Sequence, residues 1–129
     1  AIKPLTFMNN SGICIREIIE YFKINAENVF VFHDDLDIDF GKVKAKFGGS
    51  SAGHNGIESI DKFIGKDYSR IRIGIGKPKN NVDVADYVLQ NFDDDETVSI
   101  EKILENITDS ISILVEKKLD LFSSTVNNK

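Results

Sequence analysis

Val29-Phe30-Val31-Phe32-His33-Asp34-Asp35-Leu36-Asp37-Ile38-Asp39 runs from four consecutive apolar, β-favouring residues straight into a cluster of acids. A wholly apolar run of that length predicts a strand buried on both faces, and such strands belong to parallel, helix-covered sheets. In an open α/β sheet the carboxyl end of such a strand is where active sites are usually built. The acid cluster is therefore the first candidate site.

Upstream, Ile15, Ile18, Ile19 and Phe22 recur at i, i+3, i+4 and i+7, which predicts a helix from Ser11 with Ser11 near its N-cap. Downstream, Lys42-Val43-Lys44-Ala45-Lys46-Phe47 alternates strictly, so one face of that strand is all lysine. Gly48 to Gly56 is a glycine-rich loop, and Ile57, Ile60, Phe63 and Ile64 mark a short helix after it. Arg70-Ile71-Arg72-Ile73-Gly74-Ile75-Gly76 alternates again as a strand, with Arg70 and Arg72 on one face. Val82 to Phe92 reads as a brief helix. Asp94-Asp95-Glu96 places negative charge where a helix N-terminus favours it. Ile100, Ile103, Leu104, Ile107, Ile111, Leu114 and Val115 predict one amphipathic helix beyond it. With 129 residues, 41% of them hydrophobic, the chain reads as one α/β domain over 1–129.

Charge is uneven. The formal net charge is −5, which argues against a protein that coats nucleic acid, yet residues 42–79 carry 9 basic and 3 acidic side chains. Attraction to phosphate is local, screened within about 10 Å, so this segment can hold a polyanion while the rest stays acidic. A solvated lysine edge on a strand explains the same pattern equally well. No apolar run approaches the roughly 20 residues of a membrane-spanning helix. The single cysteine, Cys14, excludes a disulfide framework, fits a reducing compartment, and is better read as an apolar filler than as a nucleophile.

Each motif has weaker readings. Asp35-x-Asp37-x-Asp39 has the beginning of a calcium loop, but glycine falls one place late at Gly41 and Lys46 stands where glutamate is needed. A transition-metal site of His33, Asp34 and His54 stays open, beside a plain turn of solvated aspartates. Gly48 to Gly53 has P-loop glycine spacing, but His54-Asn55 replaces the Lys-Ser/Thr that a nucleoside triphosphate requires. Backbone N–H groups of such a loop still suit an anion or a carbonyl oxygen. Phe7-Met8-Asn9 is either an apolar platform with a substrate-holding amide or a loop tucked into the core.

Taken in order, Lys3-Pro4-x-Thr6-Phe7-Met8-Asn9-x-Ser11-Gly12, His33-Asp34-Asp35-Leu36-Asp37 with Phe40-Gly41-Lys42, and Gly48-Gly49-Ser50-Ser51-Ala52-Gly53-His54-Asn55-Gly56 resemble the bacterial peptidyl-tRNA hydrolase family. Arg70-x-Arg72-Ile73-Gly74-Ile75-Gly76-x-Pro78 and Tyr87-Val88-Leu89-x-x-Phe92 continue the resemblance over essentially the whole chain. It implies a mixed, mostly parallel α/β sheet flanked by helices, monomeric and cytoplasmic, with no metal or organic cofactor. The implied reaction is hydrolysis of the ester joining a peptide to the terminal ribose of tRNA.

The resemblance gives Asp34 the role of hydrogen-bonding a catalytic histidine, Asn9 that of holding substrate or water, and Asn55 that of binding the peptide or tRNA end and placing the water. Phe7 and Met8 would line the pocket. Gly53 and His54 would lie along the substrate, and Lys44, Lys46 and Arg72 would meet tRNA phosphates. Neither His33 nor His54 matches the family's catalytic histidine, which in that family follows an opening strand and a Gly-Asn-Pro-Gly loop. The chain begins Ala1-Ile2-Lys3-Pro4 without that segment, so the expectation is that these 129 residues alone are nearly inactive and prone to associate. Two alternatives remain: a non-catalytic RNA-binding relative of the same fold, and a metal-dependent hydrolase centred on His33 and Asp34.

Overall fold

The computed structural model describes residues 1–4, 10–77 and 92–129. Helix α1 spans Ser11–Tyr21, a 3₁₀ turn covers Ala26–Asn28, and strand β1 spans Phe30–Asp35. Strand β2 (Val43–Phe47), helix α2 (Asn55–Ile64) and strand β3 (Ser69–Gly74) follow, then helices α3 (Asp94–Asp109), α4 (Ile111–Val115) and α5 (Leu119–Asn127). The expected helix over 82–92 lies almost wholly outside the described residues.

The three strands form one sheet in the order β1-β3-β2. Ser69 N–H donates to the Val29 carbonyl and Ile75 N–H to the Asp35 carbonyl, both at 3.0 Å. That constant register makes β1 and β3 parallel. Gly48 N–H donates to the Tyr68 carbonyl (3.0 Å) and Gly74 N–H to the Lys42 carbonyl (2.8 Å), a falling register that makes β2 and β3 antiparallel. The sheet is mixed, as expected, with one pairing of each kind among the described residues. The apolar run was expected to be buried on both faces, yet Phe32 is 42% exposed. Composition records a preference for burial, but β1 is an outer strand of the described sheet and the face bearing Phe32 is left half open.

Contacts divide the chain into two compact units, 1–31 with 46–70, and 32–45 with 71–129. In the first, Ile15, Ile57, Ile60 and Tyr68 form a core joined by Ile19, Val29, Val31 and Ile64. Helices α1 and α2 meet at Gly12, whose N–H donates to Ser59 Oγ at 2.9 Å. A Cβ there would lie 2.1 Å from the Ser59 carbonyl oxygen, so only glycine permits this approach. Asn10, not Ser11, is the N-cap of α1, and it makes no side-chain cap. Ser11 is already helical and buried, which withdraws it from capping. Phe22, expected on the apolar stripe, is exposed at the end of α1.

In the second unit Ile38, Val43, Ile71, Ile103, Ile107, Leu114, Phe122 and Val126 are buried. Helix α3 opens with a capping box: Glu96 N–H donates to Asp93 Oδ1 (2.8 Å) and Asp93 N–H to Glu96 Oε1 (3.1 Å). The single helix expected through Val115 is broken at Ser110, whose φ of −106° and ψ of 6° leave the helical region. The apolar spacing continues across the break, so periodicity alone cannot reveal it. Among the described residues no helix is long and apolar enough to cross a membrane.

Candidate active site

Alternation along β1 sends Asp34 and Asp35 to opposite faces. Asp35 is buried and Asp34 half-buried. Asp35 Oδ1 accepts from Asp37 N–H at 2.8 Å, and its Oδ2 accepts from Arg72 Nε at 2.8 Å. Burial by itself would raise the pKa of Asp35. The hydrogen bond from Arg72, the backbone N–H of Asp37 and the positive charge of Arg72 outweigh it and hold the carboxyl below its usual range. The acidic turn is pinned against the end of β3, where Gly76 N–H donates to the Ile38 carbonyl at 3.0 Å. A Cβ on Gly74 would lie 2.1 Å from the Asp39 carbonyl oxygen, so the glycine of Arg72-Ile73-Gly74 is what lets the turn close there. Lys77 and Asp37 approach to 3.7 Å but both are well exposed, and such a pair is worth little.

In the first unit, the glycine loop leads into α2. His54 is the N-cap: its Nδ1 accepts from Ile57 N–H at 3.3 Å, which leaves the proton of a neutral ring on Nε2. Ser, Thr, Asn or Asp normally does this work, so a histidine here is a structural use the motif did not announce. Asn55 is the first residue of α2 and is exposed. Before it, Ala52 has a positive φ of 47°, a conformation a non-glycine residue adopts at a cost of order 1 kcal/mol. His54 N–H donates to the Ser51 carbonyl at 2.9 Å, closing the loop immediately before the helix.

Lys42, Lys44 and Lys46 are all exposed, as the alternation predicts. The Lys46 ammonium lies 3.4 Å from where a Gly49 Cβ would sit, so Lys46 leans over the glycine loop. The two arginines of β3, expected on one face of the strand, differ in exposure and in partner. Arg70 is 2% exposed, its Nη1 donating to the Gly49 carbonyl (2.8 Å) and its Nη2 to Asp61 Oδ1 (2.7 Å). Arg72 keeps 30% of its side chain exposed and pairs with Asp35. Sequence reasoning missed both pairings. The parity of Asp35 on β1 was an available signal for one; for Arg70 and Asp61 there was none beyond opposite charge.

The first unit thus carries Lys46, Gly53, His54 and Asn55, and the second carries Asp34, Lys44 and Arg72. Phe7, Met8 and Asn9 lie outside the described residues. Among the described residues no group of three or more His, Cys, Asp and Glu could hold a metal ion.

The described residues form an α/β fold, with a half-buried carboxylate near the end of β1 in one unit and, in the other, a glycine loop and an exposed amide at the start of α2. Comparison with known proteins narrows it. The peptidyl-tRNA hydrolase family model matches residues 1–129. The chain is 79% identical over its whole length to the peptidyl-tRNA hydrolase of Pelagibacter ubique (strain HTCC1062), covering 69% of that protein. It is 49% identical over 95% of its length to that of Rickettsia bellii (strain RML369-C), covering 66% of it. The crystal structure of peptidyl-tRNA hydrolase from Acinetobacter baumannii superposes with a TM-score of 0.86 at 30% identity, over 96% of this chain and 63% of that one. The chain belongs to the peptidyl-tRNA hydrolase family, and it spans about two thirds of the length of these relatives. The family and fold expected from the motifs are borne out.

Proposed function

We propose that the protein hydrolyses the ester between a peptide and the terminal ribose of tRNA, and that residues 1–129 act as one domain in doing so. Family membership over the whole chain is the observation that carries this reading. An ester needs a water oriented against its carbonyl and a base of near-neutral pKa. Asp34 supplies a carboxylate to hold a histidine base in one tautomer and to favour its charged form as it takes a proton from water. Asn9 and Asn55 are neutral amides that position substrate and water without competing for that proton. Phe7 and Met8 line the pocket for the terminal adenosine or the peptide, with Gly53 and His54 along the bound chain.

Neither histidine of this chain is the base. Neither matches the position of the family's catalytic histidine, and His54 Nδ1 is further engaged on the Ile57 N–H as a helix cap. The exposed Lys44 and Lys46 contact tRNA phosphates, and Arg72 presents what the Asp35 pairing leaves outward. The protein works as a monomer in the cytoplasm, where interrupted translation leaves its substrate, and needs no metal or organic cofactor.

Lys46→Ala tests the nucleic-acid side of this reading in the intact protein. It should weaken binding of peptidyl-tRNA and lower the salt slope of binding by about one unit, the value for one lost phosphate contact. A minimal ester lacking the tRNA body should be affected much less. Unchanged affinity and slope would reduce Lys46 to a solvated strand edge.

A further inference from the structure

We propose that Arg70 is a positioning residue that fixes the glycine loop and the start of α2 from underneath. The proposal rests on the reading that Gly53 and Asn55 meet the substrate. One guanidinium bridges the two ends of that segment: Nη1 donates to the Gly49 carbonyl before the loop (2.8 Å), and Nη2 to Asp61 Oδ1 in the second turn of the helix after it (2.7 Å). Residues 50–60, with Gly53, His54 and Asn55 among them, are thereby held at both ends by a single planar fork.

The fork is itself immobilised. Arg70 is 2% exposed, its guanidinium carbon lies 4.8 Å from the Tyr68 ring centroid, and the Tyr68 hydroxyl donates to the same Asp61 Oδ1 at 2.7 Å. Burial first, and then the Asp61 hydrogen bond, raise the Tyr68 pKa, so the phenol remains a donor. A buried ion pair of this type is weak evidence for stability, because desolvation offsets much of the attraction. What it supplies is directional: two bonds in a rigid plane, which lysine cannot reproduce. The loop has cause to need an anchor, since it holds Ala52 at a positive φ and its end at Asn55 is exposed.

The test compares wild-type protein with Arg70→Lys, using amide hydrogen exchange and steady-state kinetics on peptidyl-tRNA in the intact protein. A loosened anchor should speed exchange at His54 and Ile57 by about tenfold or more, with Gly41 and Gly74 amides changing less than about twofold. KM should rise roughly three- to tenfold with kcat within about threefold, because the binding loop is disordered while the Asp34 machinery is untouched. Equal acceleration at all four amides with KM unchanged per active molecule would make Arg70 a merely structural residue and overturn the proposal, as would no change at His54 and Ile57. Should Arg70→Lys fail to fold, Asp61→Asn is read in the same way: local acceleration at His54 and Ile57 supports the anchor, and its absence refutes it. Asn55→Ala separates the two ideas. If it leaves KM and kcat unchanged, the loop does not meet substrate, and the exchange data alone then decide whether Arg70 anchors it.

Discussion

Asp35 and Arg72 show how neighbouring residues of one motif divide their work. The expected role of Arg72 was contact with phosphate, and the structure gives its Nε to Asp35 at 2.8 Å. Arg72→Ala would therefore strand a buried carboxylate at a cost of about 1–3 kcal/mol as well as removing a cation, and loss of tRNA binding in that variant would have two causes. Lys46 is free of this confusion. The pairing also predicts a pH dependence. The carboxyl of Asp35 titrates below its ordinary 3.8 in the folded state, so the unfolded chain binds its proton first as pH falls. Its contribution to stability is fully present above about pH 5 and is lost as pH drops through 3.8 toward the lower folded value. Chemical denaturation between pH 6 and pH 3 should show Asp35→Asn less stable than wild type at pH 6 and closer to it at pH 3. A constant difference across that range would contradict the assignment. The acid cluster itself was legible in the sequence, but which acid is buried and paired depended on a partner 37 residues away.

At the scale of elements, the outer edge of β2 is closed by side chains of α5. Asn127 Oδ1 accepts from Val43 N–H and Asn127 Nδ2 donates to the Val43 carbonyl, both at 2.8 Å, and Ser123 Oγ accepts from Ala45 N–H at 2.8 Å. A carboxamide thus imitates one rung of a neighbouring strand and covers an edge that would otherwise be open to pairing. Asn127→Ala should leave buried Val43 with an unsatisfied N–H and carbonyl. The expected cost is about 2–3 kcal/mol, a fall of roughly 5–10 °C in the thermal midpoint. Asn127→Asp should not rescue the loss, because it sets a second carboxylate oxygen against the Val43 carbonyl where Nδ2 now donates. A midpoint within about 1 °C of wild type for Asn127→Ala would refute the edge-closing role.

Helix α5 was not legible in the sequence. Leu119, Leu121, Phe122 and Val126 are set among Ser123, Ser124, Thr125 and Asn127, residue types that compete with helical backbone bonding and read as a chain end. Two of those polar residues are the ones that face β2. The lysine strand, the short helix after the glycine loop and the Arg70 strand were legible because their periods of 2 and 3.6 are clean. The break at Ser110 was not, because the apolar period runs through it.

For the molecule as a whole, five ordered motifs were enough to identify the family, and similarity across all 129 residues agrees. The chemistry was legible only as a set of polar residues whose roles the resemblance supplied. The structure adds physical reasons for some of them: His54 caps a helix, Arg72 is tied to Asp35, and Asp34 stands half-buried at the end of β1. In the proposed reaction Asp34 serves the base that activates water. Single-turnover hydrolysis of saturating peptidyl-tRNA by the Asp34→Asn form of the intact protein, beside its tRNA affinity, isolates that role. Affinity should stay within about twofold of wild type while the chemical rate falls by about ten- to a thousandfold. A rate within about twofold of wild type at equal binding would contradict it.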